Sequence, residues 1–469
     1  MKTVKPLILA ASGLLAALPA WSAEVTINEN RVAVIDGKPT FILGLYENPE
    51  DDAVLKGAVD AGFNLVYSSP TKESLDRLHN AGTGAWINTG GDIDFSEDAA
   101  AKQGRLAETA KTLGTHPALI VWEVPDEALW NAWYMSEVWR LVDEPRKLKA
   151  EAEALGDKVL AEKLKVDLTT LKNYYDQGRW AEGEALADNL WTALGKPVPQ
   201  PGYGLSTAPE RAVKLGNGML EGYNALRTLD PTHPVWMNHA PRNTIEDLAF
   251  FDRAADIVGC DIYPVPESPL IRHSDLANRT LGSVGAYTRR MQDAAPGKPV
   301  WMVLQGTGWG DFHESFQGDN KAIMRRPRKD ESRFMAYDAI VHGARGILYW
   351  GTQFVEKDSP FWLELLDVVK ELDSLQEVLT APDSTTKPAI GIGPTNRSLD
   401  RTVATLSKAL PRGDWHLVVN EFESPLAVTI GGLNGAYRIH GETEPLVVDH
   451  GNAILHMPAY SVMVLEPLR

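Results

Sequence analysis

Short runs of consecutive apolar residues alternate with segments of helical pattern through most of this chain. Continuous hydrophobicity of this kind is typical of strands buried on both faces, as in a parallel sheet. Acidic residues that open the intervening segments, such as Asp51 and Glu210, predict helix starts. Eight such units are the number that closes a barrel, so the pattern predicts an α/β fold, the (β/α)8 TIM barrel. The predicted strands are 41–46, 63–67, 85–88, 118–122, 234–238, 257–263, 300–305 and 346–350.

Two other segments have a different pattern. A charged helical stretch at about 133–200, which ends in a Pro/Gly-rich link, predicts a helical insertion after the fourth strand. Beyond a turn-rich linker, short strands at regular spacing predict a C-terminal antiparallel β-sandwich over 385–469. These strands are expected at 402–406, 415–420, 427–430, 446–448 and 461–465. The barrel itself is therefore expected to occupy 23–380.

The first 22 residues have the pattern of a secretory signal peptide. Lys2 and Lys5 precede an apolar run at 7–18, and small residues follow it up to Ala23. The run is shorter than the roughly 20 residues that span a bilayer. We therefore expect a secreted or periplasmic protein without membrane association after cleavage at about residue 22. An uncleaved membrane anchor is the alternative.

The composition excludes some partners. With 46 Lys and Arg against 63 Asp and Glu, the net charge is −17, which does not suit nucleic-acid binding. Cys260 is the single cysteine, so no intrachain disulfide is possible. The 11 histidines show no metal-ligand spacing, and no glycine-rich nucleotide motif follows the first strand. We expect neither a metal nor a cofactor, and the oligomeric state is not indicated.

The residues at the strand ends suggest a carbohydrate ligand. The active site of a (β/α)8 barrel lies at the carboxyl ends of its strands. Amides and carboxylates can bind sugar hydroxyls there, and indole faces can pack on the C–H faces of sugar rings. The expected substrate-binding residues are Glu47, Asn88, Trp122, Asn238, His239, Tyr263, Gln305, Trp309 and Trp350.

The segment Trp122-Glu-Val-Pro-Asp-Glu127 resembles the fourth-strand motif Trp-x-x-x-Asn-Glu of the clan A (β/α)8 glycoside hydrolases. The segments at 35–46, 261–264 and 346–350 are similar to other parts of these enzymes, so the resemblance covers about 32–380. It implies glycosidase activity with Glu127 as general acid/base, and Asp126 stands where the family has Asn. A partly desolvated Glu beside Trp122 and Trp130 suits that role, because burial raises the pKa of a carboxyl group. The alternative is that Glu127 merely caps the next helix; Glu123 is expected to face away and to be structural.

The sequence departs from this family at the seventh strand, where Gln305 occupies the position of the nucleophilic Glu. Three explanations stay open. In the first, another carboxylate replaces the nucleophile. In the second, the substrate's own acetamido group attacks with help from Asp126 and Glu127, as in substrate-assisted hexosaminidases. In the third, the barrel binds sugar without cleaving it. The candidate carboxylates are Asp261, Glu314, Asp92 and Glu47. We predict a secreted glycoside hydrolase with Glu127, Asp126 and Asp261 as its catalytic residues.

Overall fold

The computed structural model describes residues 23–155, 158–268, 271, 273–276, 279–312, 323–393 and 401–468. The predicted signal peptide and the candidate Glu314 lie outside these residues. The described chain begins with a small antiparallel sheet of three strands. These are β1 (Val25–Ile27), β2 (Ala33–Ile35) and β3 (Lys38–Thr40).

Eight parallel strands then close a barrel, which confirms the predicted fold. In barrel order they are β4 (Ile42–Leu45), β5 (Leu65–Tyr67), β6 (Gly84–Asn88), β7 (Leu119–Glu123), β8 (Val235–His239), β9 (Ile257–Ile262), β10 (Trp301–Gln305) and β11 (Gly346–Trp350). Pairing of β11 with β4 completes the closure. The strands are almost wholly apolar because each has one face in the barrel interior and the other under the helices. Trp86, Trp236 and Trp301 are fully buried in the interior.

Helices surround the barrel. They are α1 (Asp52–Asp60), α2 (Lys72–Ala81), α3 (Ala99–Leu113), α4 (Ala128–Glu137), α5 (Glu144–Ala154), α6 (Lys158–Asp176), α7 (Trp180–Ala193), α8 (Ala208–Leu229), α9 (Ile245–Phe251), α10 (Ser283–Ala294), α11 (Trp309–Phe312), α12 (Lys329–Val341), α13 (Pro360–Ser374) and α14 (Gln376–Thr380). The acidic start predicted at Asp51 is an N-cap, since its carboxylate accepts hydrogen bonds from two backbone amides of α1. Among the described residues, no helix has the length and apolar character needed to cross a membrane.

Helices α5, α6 and α7 lie between the fourth and fifth barrel strands, where the sequence predicts an insertion. They have their own apolar core, which includes Leu148, Leu171 and Leu190. A π-helical segment, Val138–Asp143, links α4 to α5. The buried Arg140–Glu144 ion pair lies at this link, with a nitrogen–oxygen distance of 2.9 Å.

The C-terminal strands form two antiparallel sheets, which confirms the predicted sandwich. One sheet has the order β12-β15-β17 and the other β13-β14-β18-β16. The strands are β12 (Ala389–Ile392), β13 (Val403–Leu410), β14 (Gly413–Asn420), β15 (Leu426–Gly431), β16 (Tyr437–Ile439), β17 (Asn452–Met457) and β18 (Ser461–Pro467). The strand expected at 446–448 is wrong, because this stretch is irregular and its Val447 is 83% exposed. Leu417 and Val464 of the larger sheet share one core with Phe334 of α12, so the sandwich packs directly on the barrel.

Candidate active site

The alternation of side chains along the strands decides which residues face the barrel mouth. In β8, Trp236 belongs to the interior cluster, whereas Val235 and Met237 belong to the outer cluster under the helices. The side chain of Asn238 therefore faces the barrel interior, and that of His239 faces the helices. The same alternation in β9 places Asp261 on the interior side at the carboxyl end of the strand.

Glu127 lies in the turn between β7 and α4. Its backbone is left-handed (φ 51°), and its side chain makes no capping hydrogen bond to the helix, which removes the capping alternative. A non-glycine residue in this conformation is uncommon and is often found at functional sites. Burial, followed by the charges of Asp261 and Asp126, raises the pKa of Glu127 to about 9. Glu127 therefore holds a proton at neutral pH, as a general acid must.

Asp261 contacts Glu127 through a hydrogen bond between their carboxyl groups. Burial and the charge of Asp126 raise the pKa of Asp261 to about 8. Ionisation of one of two buried carboxyls in contact disfavours ionisation of the other, so the pair retains a proton at neutral pH. The hydrogen bond places the two carboxyls closer than the roughly 6.5–9.5 Å that separates the pair in inverting glycosidases, and the roughly 5–5.5 Å of retaining enzymes is the nearer of the two separations.

His273 holds Asp261 from the other side. Its Nε2 lies 3.2 Å from Asp261 Oδ2, and its Nδ1 accepts a 2.8 Å hydrogen bond from the Tyr263 backbone amide. Because burial lowers the pKa of His273 to about 3, the ring is neutral. Its single proton is therefore on Nε2, the nitrogen next to the Asp261 carboxyl. The sequence analysis missed His273, which follows β9 in a loop and has no motif around it.

Asp126 and Asn238 connect the turn after β7 to strand β8. Asn238 Nδ2 donates a 2.9 Å hydrogen bond to Asp126 Oδ1, and the Asn238 carbonyl accepts from the Glu127 amide at 3.2 Å. Burial raises the pKa of Asp126 although the hydrogen bond from Asn238 opposes the shift. Asn238 thus lies at the site, as expected, and its side-chain amide is hydrogen-bonded to the Asp126 carboxyl group.

Glu123 lies beneath these groups in the barrel interior, so the expectation that it faces away from the site is wrong. Trp86 Nε1 and Asn88 Nδ2 donate to its Oε2 at 3.1 and 2.9 Å, and the Tyr46 hydroxyl lies 3.4 Å from its Oε1. Burial and the charge of Asp126 raise the pKa of Glu123 well above its usual range. Asn88 therefore supports this buried carboxyl.

Aromatic residues border the site on two sides of β9. After β10 and β11, Trp309 and Trp350 are partly exposed, and Trp350 stacks on Tyr263 with a centroid distance of 5.5 Å. The other face of the Tyr263 ring is stacked on His273 at 4.8 Å. After β7, Trp130 stacks on Tyr134 in α4, and Arg242 lies 4.6 Å above the Trp130 ring. Trp309, Trp350 and Trp130 thus offer indole surface next to the carboxyls.

Three expected substrate contacts are corrected by the structure. Trp122 is fully buried on the outer face of β7, where its Nε1 donates to Asp230 Oδ2 at 2.8 Å. His239 is also buried on the outer side, and its Nε2 lies 2.9 Å from Asp252 Oδ1. Both side chains alternate with inward-facing neighbours, so neither can reach a ligand at the mouth.

The third correction is Gln305, at the position of the family's nucleophile. Its Oε1 accepts from the Val265 amide at 2.9 Å, and its Nε2 donates to the Val265 and Thr307 carbonyls at 2.7 and 2.9 Å. The side chain is buried and its polar atoms are satisfied by backbone groups. Gln305 therefore joins the loops that follow β9 and β10.

Two other candidate carboxylates lie apart from the cluster of Glu123, Asp126, Glu127 and Asp261. Glu47 is paired with Lys357 and Thr352 in the loops after β4 and β11. Asp92 is paired with Arg105 at 2.7 Å. Each has a cationic partner, and neither contacts Glu127 or Asp261.

Several solved structures with a similar fold are glycoside hydrolases. A glycoside hydrolase family 5 protein from Bacteroides vulgatus superposes with a TM-score of 0.54 and 14% identity, covering 95% of this chain and 92% of that one. A catalytic mutant of a GH42 beta-galactosidase from G. stearothermophilus gives a TM-score of 0.51 and 10% identity, with 92% and 98% coverage. A beta-galactosidase from Bacillus circulans gives 0.50 and 12%, with 92% and 99% coverage.

These similarities show that the chain shares the fold of those proteins along nearly its whole length. No protein-family model matches the sequence, and no curated protein matches it. At 10–14% identity, the residues of the site have to be interpreted from their own chemistry.

Proposed function

We propose that this protein is a glycoside hydrolase in which Glu127 and Asp261 form the catalytic pair. The observation that carries this proposal is the contact between these two carboxyls, both with raised pKa values, at the carboxyl end of a (β/α)8 barrel. Paired carboxyls whose environments separate their protonation states are the usual requirement for glycoside hydrolysis. The similarity to folds of known glycosidases supports the same class of reaction.

The contacts suggest a retaining mechanism. Protonated Glu127 donates its proton to the glycosidic oxygen while the Asp261 carboxylate attacks the anomeric carbon, so the leaving group departs as an alcohol. Glu127, now ionised, then removes a proton from the water that hydrolyses the glycosyl ester, which regenerates Asp261. Neutral His273 lies with its Nε2 3.2 Å from Asp261 Oδ2, and Asp126 helps keep the proton on Glu127 through its charge.

Indole faces at Trp309, Trp350 and Trp130 would hold sugar rings beside the pair. We further propose that the protein acts outside the cytoplasm, on the basis of the signal-like segment at 1–22. N-terminal sequencing of the exported chain tests this part: a start near Ala23 supports it, and an intact Met1 contradicts it.

The activity is tested by incubating the full chain with a panel of aryl glycosides and oligosaccharides. Release of free sugar by the wild type is expected, with a loss of about 10²–10⁴-fold in Glu127→Gln on the substrate that the wild type cleaves. The matched control is Glu137→Gln at the other end of α4, which is expected to keep wild-type activity. Binding of a glycan without any turnover by the wild type would overturn the proposal in favour of a carbohydrate-binding barrel.

A further inference from the structure

A second cluster of ionisable groups lies far along the chain from the site, where the barrel meets the sandwich. Asp338 is on α12, and His342 directly follows that helix one turn later, so both side chains lie on one helical face. Glu421 directly follows β14 of the sandwich. One donor atom from each of the three residues lies within 4.8 Å of the others.

The cluster is buried and incompletely satisfied. Asp338 and Glu421 are 0% and 2% exposed, and His342 Nε2 lies 2.6 Å from Glu421 Oε1 and 3.7 Å from Asp338 Oδ1. Among the residues that the structure describes, Asp338 Oδ1 has no hydrogen-bond partner. A buried carboxylate oxygen without a partner is costly, because it has lost its hydration and gained nothing in return. This oxygen lies 3.7 Å from His342 Nε2, the nitrogen that also contacts Glu421.

The surroundings hold the donors in place. The second oxygen of Asp338 accepts from the Gly285 amide at 2.7 Å, and the second oxygen of Glu421 accepts from the Thr402 amide at 3.0 Å. Such outer hydrogen bonds orient metal ligands in known sites. Gly285 also permits the close approach of α10, because a Cβ there would lie 2.1 Å from a carbon of the His342 ring.

We propose that Asp338, His342 and Glu421 bind a zinc ion that joins the barrel to the sandwich. One imidazole and two carboxylates form a three-ligand set that suits Zn²⁺, with water in the fourth position. The imidazole disfavours Ca²⁺ and Mg²⁺, which prefer oxygen ligands. As ligands, the two carboxyl groups would bind in their deprotonated form and offset the charge of the ion.

The guanidinium group of Arg289 lies next to this cluster. Its Nη1 lies 2.8 Å from His342 Nδ1 and 2.9 Å from His342 Nε2, and the residue is otherwise exposed. An exposed side chain can withdraw into solvent when an ion enters. Arg289 therefore competes with the metal for the same negative charge, and its removal is expected to strengthen binding.

The test uses the full chain, freed of metal by a chelator and titrated with ZnCl₂ by calorimetry and thermal unfolding. The wild type is expected to bind one Zn²⁺ per chain with a rise in Tm. His342→Gln and Glu421→Gln should each weaken binding at least about tenfold, and Arg289→Ala should tighten it. His440→Gln is the control, since His440 pairs with Glu466 elsewhere on the sandwich at 3.0 Å, and it should bind as the wild type does.

Absence of zinc binding in the wild type would overturn the proposal, as would binding of equal strength in His342→Gln. The Arg289→Ala variant keeps the test valid if a ligand substitution prevents folding, because it leaves all three ligands present. Unchanged or weaker zinc binding in Arg289→Ala would contradict the proposed competition at this site. X-ray absorption of the zinc-loaded chain should show nitrogen and oxygen ligands with imidazole scattering; sulfur ligation would contradict the assignment.

Discussion

The carboxylates at the barrel mouth and the ion-paired carboxylates at the junction between barrel and sandwich differ in their partners and in the direction of their pKa shifts. At the junction, Glu371 accepts hydrogen bonds from Arg333 at 2.8 Å, and Asp383 lies 2.6 Å from Arg345 and 2.8 Å from Lys408. These cations hold the pKa values of Glu371 and Asp383 below their usual range, although burial opposes the shift.

At the mouth, Glu123, Asp126, Glu127 and Asp261 face tyrosine, tryptophan, asparagine and a neutral histidine. No lysine or arginine is hydrogen-bonded to these four carboxyls among the described residues, and burial raises the pKa of each. At Glu371 and Asp383, carboxylates thus serve as partners for cations, which stabilises the fold. The mouth retains acids that are costly to ionise, which is the arrangement that proton transfer to a substrate requires.

Removal of the proposed nucleophile should have the largest effect. Asp261→Ala is expected to lower kcat/KM by at least about 10³-fold, because the covalent intermediate can no longer form. The measurement is the initial rate on the best substrate of the glycoside panel. Asp92→Ala, which alters a carboxylate already paired with Arg105, serves as control and should leave the rate nearly unchanged. Near wild-type activity in Asp261→Ala would show that another group attacks.

Loss of a junction carboxylate should affect stability instead. Glu371→Gln is expected to lower the free energy of unfolding by about 2 kcal/mol, since Arg333 loses its ionic partner in a mostly buried site. Asp60→Asn, at the exposed pair with Lys56, should change it by less than about 0.5 kcal/mol. Urea unfolding at pH 7 measures both. Equal effects of the two substitutions would contradict the distinction between the regions.

Glu127→Gln should stabilise the protein, and more so at higher pH. Glu127 ionises near its ordinary pKa of about 4.3 in the unfolded chain but at about 9 in the folded one. The folded state therefore binds more protons between these values, so the ionisation of Glu127 lowers stability as pH rises through this range. The amide removes this loss, and we expect the gain in stability to grow steadily between pH 5 and pH 8. A gain in Tm that is independent of pH from 5 to 9 would contradict this origin.

Asp126→Asn should have the smallest effect. It is also the substitution that best distinguishes the three explanations left open by Gln305. The charge of Asp126 raises the pKa of Glu127, so its removal should shift the alkaline limb of the kcat/KM profile to lower pH. Activity itself should fall modestly, because asparagine occupies this position in the family that the sequence resembles. An almost complete loss of activity, confined to substrates with a 2-acetamido group, would favour the substrate-assisted mechanism instead.

The barrel was predictable from sequence because its strands are continuously apolar and helix starts such as Asp51 are marked by acidic residues. The motif at Trp122–Glu127 and the strand-end rule pointed to Glu127 and Asp261, whose carboxyls lie in contact in the structure. The direction in which each strand residue faces was harder to predict. Trp122 and Glu123 are adjacent, so one must face the helices and the other the barrel interior. The motif suggested that Trp122 faces the interior, whereas Glu123 does. His273 and the backbone contacts of Gln305 depend on loop conformation, for which the sequence carries no periodic signal.

The cluster of Asp338, His342 and Glu421 could not be predicted from sequence for a related reason. A search for pairs of histidines along the chain cannot detect Asp338 and His342 together with Glu421, which is 79 residues further on. Only the packing of the sandwich on α12 brings them together. Long-range contacts of this kind are visible in the folded structure alone.

The most direct test of the central claim is the configuration of the first product. A glycoside of defined anomeric form is hydrolysed in the NMR tube, and the anomeric proton signal is followed before mutarotation. The hydrogen bond between the Glu127 and Asp261 carboxyls sets them closer than the roughly 6.5–9.5 Å that an attacking water needs between such a pair, so we predict that the sugar is released with its original configuration. Release of the opposite anomer would contradict the proposed pair.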